Sequence, residues 1–405
     1  MARLVSKKYT VPFICVTSLF FMWGFARSVL DVLNKHFQEL LSISITQSSL
    51  VQATTYTGYF LMAIPAGLII SRGGYRRGIV WGLLLFGLGA LLFIPGERYM
   101  SFQLFLAALF LIGCGLAMLE TSANPYATEM GPRETAAGRL NLGQSFNGLG
   151  CILGPVVMGA FLFSAEGSGH VAVPYTIMGA VVLLVAVCFM FIPLPAIQPG
   201  DGRVEEAESK RSPSKVFREL LTSPKFLAGF GALFFYEISE ISINSLFFNY
   251  VTSEGWIPRE RVPMVISFCA LGLFMFARVI GSLIMSRVRS SKVLVIASLG
   301  AVVATLLVSS GLGAVSHYSL FAIYLFEAIM FPTIFALTIV EAGENVKLAS
   351  SLLMMSPIGG AVGTYVMSQV AESVSISLSF LVPAVGYLVV LAYALTVASK
   401  ADAPT

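Results

Sequence analysis

Twelve apolar runs, each long enough to cross a bilayer as a helix, occupy most of this 405-residue sequence and leave few folds open to it. A spanning helix needs about 20 predominantly apolar residues, because its backbone polar groups must be satisfied internally once water is gone. The runs cover 10 to 37, 46 to 71, 77 to 95, 101 to 129, 137 to 164, 172 to 193, 225 to 253, 260 to 286, 292 to 313, 317 to 340, 347 to 371 and 375 to 398. With 57% apolar and 11% charged residues and a mean hydropathy of +0.84, the chain falls outside the soluble range of about 25% charged residues. The expected class is an all-α membrane protein of twelve transmembrane helices.

Short cytoplasmic loops carry the excess of Lys and Arg. With both termini inside, 19 of the 25 basic residues fall on the cytoplasmic side, Lys35, Arg98, Arg259 and Arg261 fall outside, and Arg27 and Arg278 lie within spans. This predicts a multi-pass protein of the inner (plasma) membrane with cytoplasmic termini. No short hydrophobic stretch with a cleavage site opens the chain, so the first span is expected to be retained. The five cysteines suit neither a zinc site nor a disulfide framework. The net charge of +4 follows from loop topology and implies no nucleic acid. No phosphate-binding loop or catalytic triad stands out, so neither an enzyme nor a bound cofactor is expected.

The polar stretch Gln198 to Ser223 separates six spans from six. The expected organisation is a half at 1–197, a cytoplasmic linker at 198–223 and a half at 224–405. Aligning Trp23 with Tyr236 sets Arg27 over Glu240 and Asp31 over Asn244, as a duplicated transporter would. Such transporters bind substrate near the bilayer midplane between related halves. The segment Gly67-Leu68-Ile69-Ile70-Ser71-Arg72-Gly73-Gly74-Tyr75-Arg76-Arg77-Gly78 resembles the signature loop of the major facilitator superfamily, with Ser71 where the signature has an acid. Gly67, Arg72, Gly74, Arg76 and Arg77 are its expected gating residues.

Seven ionisable residues lie well inside spans: Arg27, Asp31, Glu120, Glu237, Glu240, Arg278 and Glu327. Such residues are costly in hydrocarbon and generally face a bundle interior or a wet cavity. Glu120 is the sole charge from Ser101 to Thr128 and has no basic residue on its own span. Desolvation favours the neutral form of a carboxylic acid, which lets such a group carry a proton. Arg27 and Asp31 share a helix face at i,i+4, so Arg27 pairs either with Asp31 or across to Glu240. Gln144 and Asn147, one turn apart, offer amide donors and acceptors suited to hydroxyls. Trp23 and Tyr236 are the aromatics expected to stack on a sugar ring.

Phe21 to Asp31, the run Leu119-Glu120-Thr121-Ser122-Ala123-Asn124-Pro125, Arg139 to Asn147, Phe331 to Phe335 and Gly359-Gly360 resemble the fucose permease family of sugar transporters. Glu240 to Ser245 is similar to the seventh span of its glucose/galactose branch. The resemblance implies the major facilitator fold, two pseudo-symmetric six-helix halves. It also implies that Asp31 and Glu120 are acids of proton coupling and sugar binding, with Gln144 and Asn147 on the cavity wall. Arg27 stands where the fucose permease has an amide, and Glu327 where the glucose/galactose branch commonly has a neutral polar residue.

The expected function is import of a monosaccharide by proton symport through alternating access. Trp23, Arg27, Glu120, Gln144, Asn147, Tyr236, Glu240, Asn244 and Glu327 are the expected substrate-binding residues. The partners are a sugar, a proton and the lipid bilayer, with the chain acting as a monomer. Two alternatives are a sodium-coupled symporter, with sodium on Glu237, Glu240 and Asn244, and proton-coupled efflux of an organic cation or chelate.

Overall fold

The computed structural model describes residues 9–130, 136–162, 170–192, 213–285, 288–340 and 346–402, and these are almost wholly helical. Eleven helices among the described residues are long and apolar enough to cross a membrane. The chain forms two compact units. One comprises Met1–Ser42 with Thr54–Glu205, the other Ile43–Ala53 with Glu206–Thr405. Residues 43–53, assigned to the first half by a division at the polar stretch, thus cluster with the second unit.

In the first unit the long helices are Thr10–Leu40, the greater part of Leu50–Leu91, Phe102–Glu129, Ala136–Leu162 and Ala172–Phe191. Ser101 starts the fourth span by accepting the Leu104 amide on its hydroxyl at 3.4 Å, satisfying one of the donors that a helix start leaves open. The stretch Leu50–Leu91 is two helices joined at Gly74, whose φ of 77° and ψ of 167° favour a residue without Cβ. Gly74 therefore parts the second and third spans inside the predicted gating loop. Arg76 Nε donates to the Phe189 carbonyl at 3.1 Å, tying this loop to the sixth-span helix. The side chains of Ser71 and Arg72 lie outside the described set.

In the second unit the seventh-span helix is Pro224–Ser253, with Ser223 capping its start and Pro224 in its first turn, where a missing amide costs nothing. The last ten residues of the expected linker before Ser223 form the helix Pro213–Thr222. Its Val216 and Leu220 are buried, one turn apart. Residues 198–212 of that linker are outside the described set.

Three predicted spans of this unit are not regular helices. The eighth contains a π-helical stretch, Val265–Leu271, before Gly272–Met285. The tenth divides into Ala314–Glu327 and Met330–Val340. The eleventh, expected as one helix over 347–371, divides into Val346–Leu353 and Ile358–Ser373. Proline supplies the reason in the last two cases, since it cannot donate to the carbonyl four residues back. Around Pro357 the chain tightens into three-residue bonds instead, Ser356 N–H to Leu353 O at 3.0 Å and Gly359 N–H to Ser356 O at 2.8 Å.

Candidate functional site

Each unit carries its own polar cluster. In the first, Glu120 projects from Phe102–Glu129 and accepts the Tyr59 hydroxyl on Oε1 at 3.1 Å. Arg27 of Thr10–Leu40 lies within electrostatic reach of both Glu120 and Tyr59. The carboxylate that has no cation on its own span therefore meets one from the first helix. The expected partners of Arg27 were Asp31 and Glu240, and Glu120 is an additional acid within its reach. Asp31 lies on the same helix, and its side chain is outside the described set.

The first and fifth spans approach closely here because Gly24 lacks a side chain. A Cβ on Gly24 would sit 2.2 Å from the Asn147 carbonyl oxygen and 2.8 Å from Asn147 Nδ2. Asn147 Nδ2 donates to the Phe20 carbonyl at 3.2 Å, so the amide predicted for ligand binding also stitches the two helices together. Trp23 is buried, with its ring centroid 4.2 Å from that of Phe20. Gln144, one turn before Asn147, remains partly exposed.

The second cluster is centred on the seventh-span helix. Tyr236 and Glu237 are buried, whereas Glu240 and Asn244 are partly exposed. Asn244 Oδ1 accepts the Tyr324 hydroxyl at 2.7 Å. Glu327 is fully buried and accepts the hydroxyl of Tyr387, a residue of the last helix, on Oε2. The charges of Glu240 and Arg278 both reach Glu327.

The position of Arg278 follows from a proline. Pro332 has no N–H to give to Ala328, four residues earlier, and the freed Ala328 carbonyl accepts Arg278 Nε at 3.0 Å. The guanidinium also lies over Phe274, 4.6 Å from the ring centroid. The break in the tenth span thus holds a cation beside Glu327.

With these two clusters on two bundles of membrane-spanning helices, the sequence matches the model of one family, the Major Facilitator Superfamily, over residues 13–356. The chain belongs to that superfamily. It is a multi-pass membrane protein with the twelve-helix major facilitator fold. Its resemblance to the fucose permease family extends over nearly its whole length. It is 32% identical over 399 residues to a glucose/galactose transporter of Brucella abortus, covering 96% of this chain and 94% of that one. It is also 32% identical over 414 residues to the L-fucose-proton symporter of Escherichia coli, covering 96% and 93%. The crystal structure of the superfamily transporter FucP in the outward conformation superposes with a TM-score of 0.73 at 31% identity, covering 96% of this chain and 99% of that one.

Sequence reasoning missed two hydroxyls, those of Tyr59 as a donor to Glu120 and of Tyr387 as a donor to Glu327. Tyr387 sits in the apolar run Ala384-Val385-Gly386-Tyr387-Leu388-Val389 with no polar neighbour to mark it. Buried tyrosine hydroxyls generally find a partner. That rule flags such a residue without naming its partner.

Proposed function

We propose that this superfamily member is a secondary active transporter that imports a monosaccharide together with a proton by alternating access. The observation that carries the reading is the Glu120 carboxylate, held by Tyr59 and within reach of the Arg27 guanidinium. A proton and a guanidinium are alternative ways to neutralise one buried acid. Protonation of Glu120 weakens its hold on Arg27, and loss of the proton restores it, which gives a proton the leverage to favour one state of the protein over another. In the first unit Glu120 and Gln144 offer acceptors and donors suited to sugar hydroxyls, in the second unit the partly exposed Glu240 and Asn244 do the same, and Asp31 is a second coupling acid. The similarity to a glucose/galactose transporter and to an L-fucose-proton symporter supports both the sugar and the proton.

Proton coupling is favoured over sodium coupling because a relative matched over nearly the whole chain is named a proton symporter. The Lys and Arg distribution supports placement in the inner membrane with cytoplasmic termini. The test is uptake of labelled hexoses into proteoliposomes under an inward proton gradient, with and without sodium. Proton-driven accumulation that is indifferent to sodium is expected; no accumulation of any hexose under the gradient would sink the proposal. A thermal-shift screen of neutral, amino and acidic sugars identifies the substrate.

A further inference from the structure

The second unit gathers acids and tyrosines in its buried interior. Glu327, Tyr236 and Tyr387 are each 0% exposed and Glu237 is 1% exposed. Three carboxyl groups, Glu237, Glu240 and Glu327, lie within electrostatic reach of the Tyr236 hydroxyl, as does the guanidinium of Arg278. Like charges held together in this way cannot all be ionised without mutual repulsion, so protonation of one relieves the others.

Hydrogen bonding singles out Glu327. Its Oε2 takes the Tyr387 hydroxyl, while Oε1 is buried with no hydrogen-bond partner. Burying an ionised carboxylate with one oxygen unsolvated costs far more than burying the neutral acid, which carries no charge to solvate. The Tyr236 hydroxyl, also buried among these acids, has no hydrogen-bond partner either. Arg278 is held to the Ala328 carbonyl and the Phe274 ring. The ninth-span helix, Ser290–Ser309, carries no ionisable side chain beyond Lys292 in its first turn. Helix Ile358–Ser373 has only the exposed Tyr365 and, at its end, Glu372.

We propose that Glu327 is a proton-binding site of the second half, separate from the Glu120 acid of the first, and that it exchanges its proton through the partly exposed Glu240. The chemistry is reversible protonation of one carboxylate oxygen, with no other bond formed or broken. This inference deepens the proton-coupled reading of the transporter and rests on it.

Infrared difference spectroscopy of the purified protein through a pH titration tests the site without requiring transport. The wild type is expected to show the C=O stretch of a protonated carboxyl that persists in Glu120→Gln and is lost in Glu327→Gln. The same band in Glu327→Gln as in the wild type overturns the proposal. Should Glu327→Gln fail to fold, Tyr387→Phe, which removes the hydrogen bond to Oε2, is expected to shift the band, and an unmoved band is equally fatal. In proteoliposomes, Glu327→Gln is expected to lower proton uptake per sugar transported relative to the wild type; an unchanged ratio argues against coupling through Glu327. Absence of sugar-linked proton uptake in the wild type itself instead defeats the transport reading and leaves the spectroscopic test standing.

Discussion

Tyr59 donates its hydroxyl to Oε1 of Glu120 at 3.1 Å, across two helices and 61 positions of sequence. The bond joins the second span to the fourth at the acid on which the transport reading depends. Tyr59→Phe removes that bond and leaves the ring. A hydrogen bond to a charged group contributes about 1.5–3 kcal/mol, so a rise of about tenfold in the KM for sugar uptake is expected. Glu120→Gln is expected to abolish proton-driven accumulation. Accumulation with the wild-type pH profile in that variant removes Glu120 from the coupling mechanism.

Arg27 reaches Glu120 electrostatically, so the two substitutions should not add. Arg27→Ala leaves the acid without its cation and is expected to lower the Tm of the purified protein more than Arg27→Ala combined with Glu120→Gln does. The coupling energy expected from a thermal double-mutant cycle is at least about 0.5 kcal/mol. Strict additivity would place the balancing charge elsewhere.

Close packing of the first and fifth spans depends on Gly24. Gly24→Ala puts a methyl group 2.2 Å from the Asn147 carbonyl oxygen, and the helices must separate to admit it. Overpacking of this kind costs about 1–3 kcal/mol. Gly231→Ala is the matched control, because a Cβ there meets nothing within 4 Å. Thermal melts should show a clear loss for the first and none for the second.

At the C-terminal end of the eleventh span, Glu372 Oε1 accepts the Thr46 amide at 2.9 Å, within the second unit. Burial pushes its carboxyl upward, but the Thr46 backbone hydrogen bond and the nearby donors of Ser44 and Ile45 outweigh this and hold it below the ordinary carboxylate value. A depressed value means that the ionised form is the one the contact favours. The contact is thus fully present above the ordinary carboxylate value and is lost as pH falls through the lowered one. Hydrogen exchange at the Thr46 amide, taken relative to its intrinsic rate at each pH, should stay slow through neutral pH and speed up only in acid. Glu372→Ala should accelerate it several-fold at neutral pH, and an unchanged rate there would count against the contact.

The sequence carried the fold to a considerable depth because spanning a bilayer is a one-dimensional constraint. The helix Phe102–Glu129 was legible as the apolar run 101–129. Breaks in the tenth and eleventh spans were less legible. Pro332 and Pro357 were visible, but proline at membrane depth either kinks a helix or ends it, according to what accepts the freed carbonyl.

By itself the sequence determined the apolar spans, the side of the membrane favoured by Lys and Arg, and the short set of intramembrane charges that includes Glu120 and Glu327. Only the tertiary structure decided what those charges meet: Arg27 and Tyr59 at Glu120, Tyr387 and Arg278 at Glu327. Hydropathy is a sum along the chain and survives without knowledge of neighbours. The partner of a buried charge is set by rotation and contact of helices far apart in sequence, and those angles are fixed only when the bundle packs.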